Sequence, residues 1–137
     1  MSKPDVLIFL PESKYIVVDA KVSLTAYERL ISANERNASE HMKSHIRSLK
    51  SHIDELAAKD YALHDELQSP DFVMMFIPIE ASLSLALQSD NDLFMYAWNK
   101  RIVLVTPTTL LISFRIVANL WRHEKQSKNV IEIAKIG

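Results

Sequence analysis

The sequence predicts an α/β fold: a mixed four-stranded sheet flanked by helices, in three layers. Three observations lead there. The runs "FVMMFI" (72–77) and "RIVLV" (101–105) are apolar without alternation, the pattern of strands covered on both faces. "DVLIFL" (5–10) and "YIVVDAKV" (15–22) flank "PESK" as the two arms of a β-hairpin. The segments between these runs carry helical spacing rather than a period of two.

From Leu24, "LTAYERLIS" reads as a short helix that "NERNAS" breaks. Asn37 followed by Glu40 forms a capping-box pattern for the next helix. Met42, Ile46, Leu49, Ile53 and Leu56 follow at spacings of 4, 3, 4 and 3, one apolar stripe with Lys43, Arg47 and Lys50 off it. Ser69-Pro70 signals a turn, with Asp71 as a turn residue, before the third strand. Two short helices are expected over roughly 80–88 and 91–99, the second capped by Ser89 or Asp90. After "RIVLVTP", Thr106 as N-cap and Pro107 at the first helical position start a helix running to about Glu124. "KNVIEIAKI" reads as a separate last helix. The predicted order is β-β-α-α-β-α-α-β-α, in one domain spanning residues 1–137.

Composition narrows the function. Hydrophobic content of 48% and charged content of 24% are globular values and argue against disorder. The absence of cysteine excludes disulfides, thiolate zinc sites and a cysteine nucleophile, and fits a reducing compartment. The single glycine excludes Gly-rich phosphate loops and dinucleotide fingerprints. A net charge of −1 gives no global attraction to nucleic acid, so such binding needs local basic patches or metal ions. No apolar run approaches the roughly 20 residues of a membrane span, and no signal peptide opens the chain. A soluble, cytoplasmic protein is expected. Both ends read as cut: Met1-Ser2 runs straight into a strand, and the chain stops at "VIEIAKIG". An excised piece of a longer protein is therefore expected.

The hairpin carries charge at one end. Asp19 and Lys21 share a strand face, and Asp5 opens the adjacent strand at the same end. Paired residues of a hairpin have a constant index sum, and same-face residues need an even one. A four-residue loop with Leu10 opposite Tyr15 puts Asp5 on the other face. A three- or five-residue loop, or one bulge, brings the three groups together. Two carboxylates and the Ala20 carbonyl would then form an oxygen-rich site for Mg²⁺ or Mn²⁺. Lys21 could orient or deprotonate a water. The alternative is a solvated strand end with a weak ion pair.

The wider string resembles a known family. "PDVLIFLPESKYIVVDAKVSLTAY", then "SPDFVMMFIPIE", "RIVLVTPTTLL" and "VANLWRHE", is similar in order and content to the core of the RmuC family of DNA recombination proteins, from about Pro4 to Glu124. The resemblance implies a restriction-endonuclease-like core of the PD-(D/E)xK superfamily, a metal-dependent phosphodiesterase. Its first Asp and its D/E-x-K triplet would be Asp5, Asp19 and Lys21. It implies DNA as partner, a nuclease that limits rearrangement at inverted repeats, and Mg²⁺ or Mn²⁺ as cofactor. Family members usually carry a long N-terminal coiled coil, often after a membrane anchor, through which a homo-oligomer could form. No membrane contact is expected for this piece itself. A non-catalytic nucleic-acid-binding or assembly module on the same fold is the alternative.

Other residues have two readings each. Glu80 is a further acidic metal ligand or a carboxylate at a helix N-terminus. His41, His45 and His52 share a helical face whose spacing permits metal binding, but a solvated polar face is the expectation, as it is for Lys43, Arg47 and Lys50. Arg115 and Arg122, seven apart, head a basic stretch with His123, Lys125 and Lys128 that binds the DNA backbone or pairs with carboxylates. Ser23 and Tyr27 touch a phosphate, or cap and pack. Trp98 and Trp121 are expected in the core or in helix packing rather than as base-stacking platforms.

Overall fold

The computed structural model describes residues 5–59 and 72–136. Ser69, Pro70 and Asp71, expected as a turn, lie outside the described residues, as does the side chain of Lys128. Four strands, β1 (Val6–Phe9), β2 (Tyr15–Asp19), β3 (Val73–Phe76) and β4 (Ile102–Val105), form one sheet in the order β1-β2-β3-β4. β1 runs antiparallel to β2, and the other neighbours are parallel. The mixed sheet is therefore as predicted, with strands shorter than the apolar runs that announce them.

Helices cover both faces. α1 (Thr25–Ile31) and α2 (Ala38–Ala57) connect β2 to β3; α3 (Glu80–Ser89) and α4 (Leu93–Trp98) connect β3 to β4. On one face Tyr15, Val17, Val73, Met75, Ile102 and Leu104 meet Leu49, Ile53 and Leu56 of α2 and Leu83, Ala86, Leu93 and Ala97 of α3 and α4. On the other, Ile8, Ile16, Val18, Met74 and Val105 meet Leu110 and Val117 of α5 (Pro107–Ile136). The alternating residues of β2 thus divide between two cores, and all five are buried. This explains why the central strands show no period of two.

Several boundaries differ from expectation for local reasons. α5 continues to Ile136 and absorbs "KNVIEIAKI", because no glycine or proline interrupts 108–136. α2 starts after Asn37 as predicted, but Asn37 does not cap it. Its side-chain oxygen accepts from the Asn34 N–H at 2.9 Å instead, tightening the preceding turn. Thr106 does open α5: its N–H donates to Thr109 Oγ1 at 2.7 Å, a reciprocal first-turn cap. Trp98 is 51% exposed and does not belong to the core. Trp121 is 44% exposed, yet its indole N–H donates to the Phe9 carbonyl at 2.8 Å and pins α5 to the hairpin.

Candidate functional site

The hairpin register settles the face of Asp5. Val6 pairs with Val18 and Phe9 with Tyr15, an even index sum, and five residues form the loop, closed by Leu10 N–H to the Lys14 carbonyl at 2.8 Å. One step further along this ladder, Asp5 stands opposite Asp19. The two carboxylates take consecutive backbone donors: Ala20 N–H donates to Asp5 Oδ2 at 2.8 Å, and Lys21 N–H to Asp19 Oδ1 at 3.2 Å. Lys21, 64% exposed, places its ammonium 3.4 Å from Asp5 Oδ1. The structure therefore assembles Asp5, Asp19, Ala20 and Lys21 at one end of the hairpin.

Asp19 is the deepest member, 1% exposed. Its parity on β2 directs it to the α2 face, below Val17 and Tyr15. There it meets two side chains that sequence reasoning did not join to it, His52 of α2 and Lys59 just past the helix end. His52 Nε2–H donates to Asp19 Oδ1 at 3.2 Å, and Lys59 Nζ lies 3.6 Å from Oδ2. Burying a carboxylate is costly unless it is hydrogen-bonded and paired, and these groups meet that condition. His45, His52 and Lys59 recur every seven residues along the buried stripe of Leu49, Ile53 and Leu56. That recurrence was the available signal.

The histidines do not form a solvated face. His45 is buried, donates from Nε2 to the Ser82 carbonyl at 2.7 Å and packs its ring against Tyr27. His41 and His52 are half-buried. The reason is position: His45 lies one turn before Leu49 and His52 one turn before Leu56.

Glu80 is placed elsewhere. Its Oε1 accepts from Thr108 N–H at 2.7 Å, so it caps the first turn of α5 from α3. Hydrogen bonds from the Thr108 side chain first, then from Thr106 and the Thr108 backbone, hold its carboxyl below the usual glutamate range. Among the described residues, no three His, Asp or Glu side chains gather as a metal-holding group. Asp5 and Asp19 are the two carboxylates that this hairpin end could offer a hard cation. Mg²⁺ is commonly held through one or two carboxylates, with water and substrate phosphate completing its shell.

The expected DNA contacts are dispersed. Ser23 is exposed, and its hydroxyl accepts from Thr25 N–H at the start of α1. Tyr27 is buried against His45. Arg115 and Arg122 are exposed on α5, which packs on the sheet face opposite Asp19, and neither pairs with a carboxylate among the described residues.

Comparison with known proteins gives the family. The model of the RmuC family matches residues 1–137. The chain belongs to the RmuC family. It is 48% identical over 138 residues to the DNA recombination protein RmuC homolog of Pseudomonas aeruginosa, covering 97% of this chain and 30% of that protein. The Neisseria meningitidis serogroup B homolog is 46% identical over 136 residues, 98% of this chain and 23% of that protein. DNA recombination protein RmuC of Escherichia coli K12 is 44% identical over 137 residues, 96% of this chain and 28% of that protein. This RmuC-family chain thus spans less than a third of the relatives it matches. No solved structure matches it. No helix among its described residues is long and apolar enough to cross a membrane.

Proposed function

We propose that this RmuC-family chain is a metal-dependent nuclease domain on a restriction-endonuclease-like core, hydrolysing DNA phosphodiester bonds. The observation that carries the reading is the hairpin register, which sets Asp5 opposite Asp19 beside Lys21. The names of the relatives as DNA recombination proteins support DNA as the substrate class. Asp5 and Asp19, with the Ala20 carbonyl, would hold Mg²⁺ or Mn²⁺. Bound there, the ion would polarise a phosphoryl oxygen and bring a water toward ionisation at neutral pH. Lys21, largely in solvent, would orient that water and donate to the phosphate oxygens as negative charge builds on them. The burial of Asp19 keeps one carboxylate rigid while Lys21 remains mobile enough to follow the substrate.

The test is cleavage of duplex and branched DNA with Mn²⁺, comparing the native chain with Asp19→Asn and Lys21→Ala. Both variants should lose at least a hundredfold in rate, the usual scale for removing a transition-state electrostatic contact, about 10²–10³, while far-UV circular dichroism is unchanged. Equal rates in native and variant chains would reject the assignment.

One observation favours a second reading, a non-catalytic DNA-binding module. Asp19 is satisfied by His52, Lys59 and Lys21 N–H without any ion, and Glu80 is committed to α5. That reading requires DNA affinity that falls with salt and is indifferent to EDTA and to Asp19→Asn.

A further inference from the structure

We propose that Lys59 is an internal competitor for the metal position at Asp19 and that DNA phosphate draws it away, so that metal and DNA load the site together. The proposal rests on Asp19 being a metal ligand.

Lys59 differs from the other groups around Asp19. His52 is fixed within α2, with its side chain only 16% exposed. Lys59 lies just past the last turn of α2, its N–H bonded to the Leu56 carbonyl, and its side chain is 34% exposed. A long flexible stem with a point charge at such a place can exchange one partner for another with little backbone cost. Its ammonium stands 3.6 Å from Asp19 Oδ2, the oxygen that neither His52 nor Lys21 N–H takes. A divalent ion and an ammonium on the same carboxylate oxygen repel strongly, and more so beside a carboxylate that is 1% exposed. Entry of the ion therefore displaces Lys59.

The charge inventory points the same way. Among the described residues, Asp5 and Asp19 are matched by Lys21 and Lys59 as ion-paired ammoniums. A divalent ion added to this group brings two further positive charges, which a DNA backbone segment neutralises. Released from Asp19, Lys59 remains beside the site and exposed, where a phosphate oxygen is its natural new partner. Coupling of this kind is reciprocal: what frees Asp19 for the ion also frees Lys59 for phosphate.

The experiment uses the 137-residue chain with Lys59→Met, which keeps the apolar stem, and Lys59→Gln, which keeps a donor toward Asp19. Mn²⁺ affinity is measured without DNA, from the electron paramagnetic resonance signal of the free ion. Removing the ammonium should tighten Mn²⁺ binding about tenfold, within the usual range of site-to-site coupling. Affinity for a duplex oligonucleotide in Ca²⁺, read by fluorescence anisotropy, should fall by a similar factor. Unchanged or weaker Mn²⁺ binding in both folded variants overturns the proposal while leaving Asp19 as a ligand. Tighter Mn²⁺ with unaltered DNA affinity overturns the transfer to phosphate. If neither native nor variant chains bind Mn²⁺, the metal reading of Asp19 fails, and this proposal fails with it.

Discussion

Asp19 shows how a polar residue is tolerated at full burial: among the described residues, the Lys21 N–H and His52 donate to one of its oxygens and the Lys59 ammonium, just past α2, pairs with the other. Ser82 shows the opposite case. Its hydroxyl is buried with no partner among the described residues, although its carbonyl serves His45. An unpaired buried hydroxyl carries a desolvation cost with no compensating bond. Ser82→Ala should therefore raise stability by about 1 kcal/mol, seen as a higher urea midpoint with unchanged slope; a lower midpoint would mean that the hydroxyl is bonded. At this scale the sequence was legible where periodicity is local. Asp5, Asp19 and Lys21 could be placed at one hairpin end, leaving only loop length open. Lys59 could not be joined to Asp19, since forty residues separate them and only the packing of α2 on the sheet brings them together. His45 and His52 were legible in principle. Their spacing from Leu49 and Leu56 marked them as inward-facing, but residue type suggested solvent.

At the scale of elements, α5 is held at its start by two devices. Thr109 accepts from Thr106 N–H, and Glu80 accepts from Thr108 N–H; since Pro107 has no N–H, two of the three otherwise unpartnered N–H groups of that first turn are satisfied by side chains. The Glu80 carboxyl is held low by its bonds to Thr108 and Thr106. A depressed carboxyl stabilises the fold above its unfolded value, here 4.5, and the contribution disappears as pH falls through the folded value. Glu80→Gln should therefore lower the melting temperature at pH 7 and make no difference at pH 2.5. Equal melting at pH 7 would exclude the cap. Sequence located the start of α5, since Thr-Pro is a strong local signal, but not its end. A helix end depends on what the last turns pack against as much as on a breaker, and none is present here. The capping box at Asn37 failed because its side-chain oxygen accepts from the Asn34 N–H of the preceding turn instead.

Across the whole molecule, carboxylates tie separate elements together. Asp54 of α2 accepts from the Tyr96 hydroxyl of α4 and pairs with Lys100 at 3.3 Å; Asp90, after α3, pairs with Lys50 of α2 at 3.1 Å. The Tyr96 bond chiefly holds Asp54 low, and Lys50 holds Asp90 low. With Glu80, all three lose their contribution on the acid side, below unfolded values of 3.8 to 4.5. The urea midpoint should stay level from pH 7 to about pH 5 and fall steadily below pH 4. A midpoint unchanged at pH 3 would show that these ties add nothing. The overall architecture was the most legible layer, because the unbroken runs at β3 and β4 demand cover on both faces. Which helices supply that cover was not legible, as α5 alone serves one face while α2, α3 and α4 share the other.

Every residue of β2 is buried, and its last residue is the candidate ligand Asp19. Under the proposed assignment, chemistry and framework share one strand, and a genetic screen that scores lost function at Asp19 will also collect misfolded protein from substitutions less conservative than Asn. Lys21 stands two residues away in solvent, where its removal disturbs no core contact. If the proposed cleavage activity holds, Lys21→Ala is the allele to choose for trapping an uncleaved complex in cells, and any phenotype confined to Asp19 variants should first be checked against protein abundance.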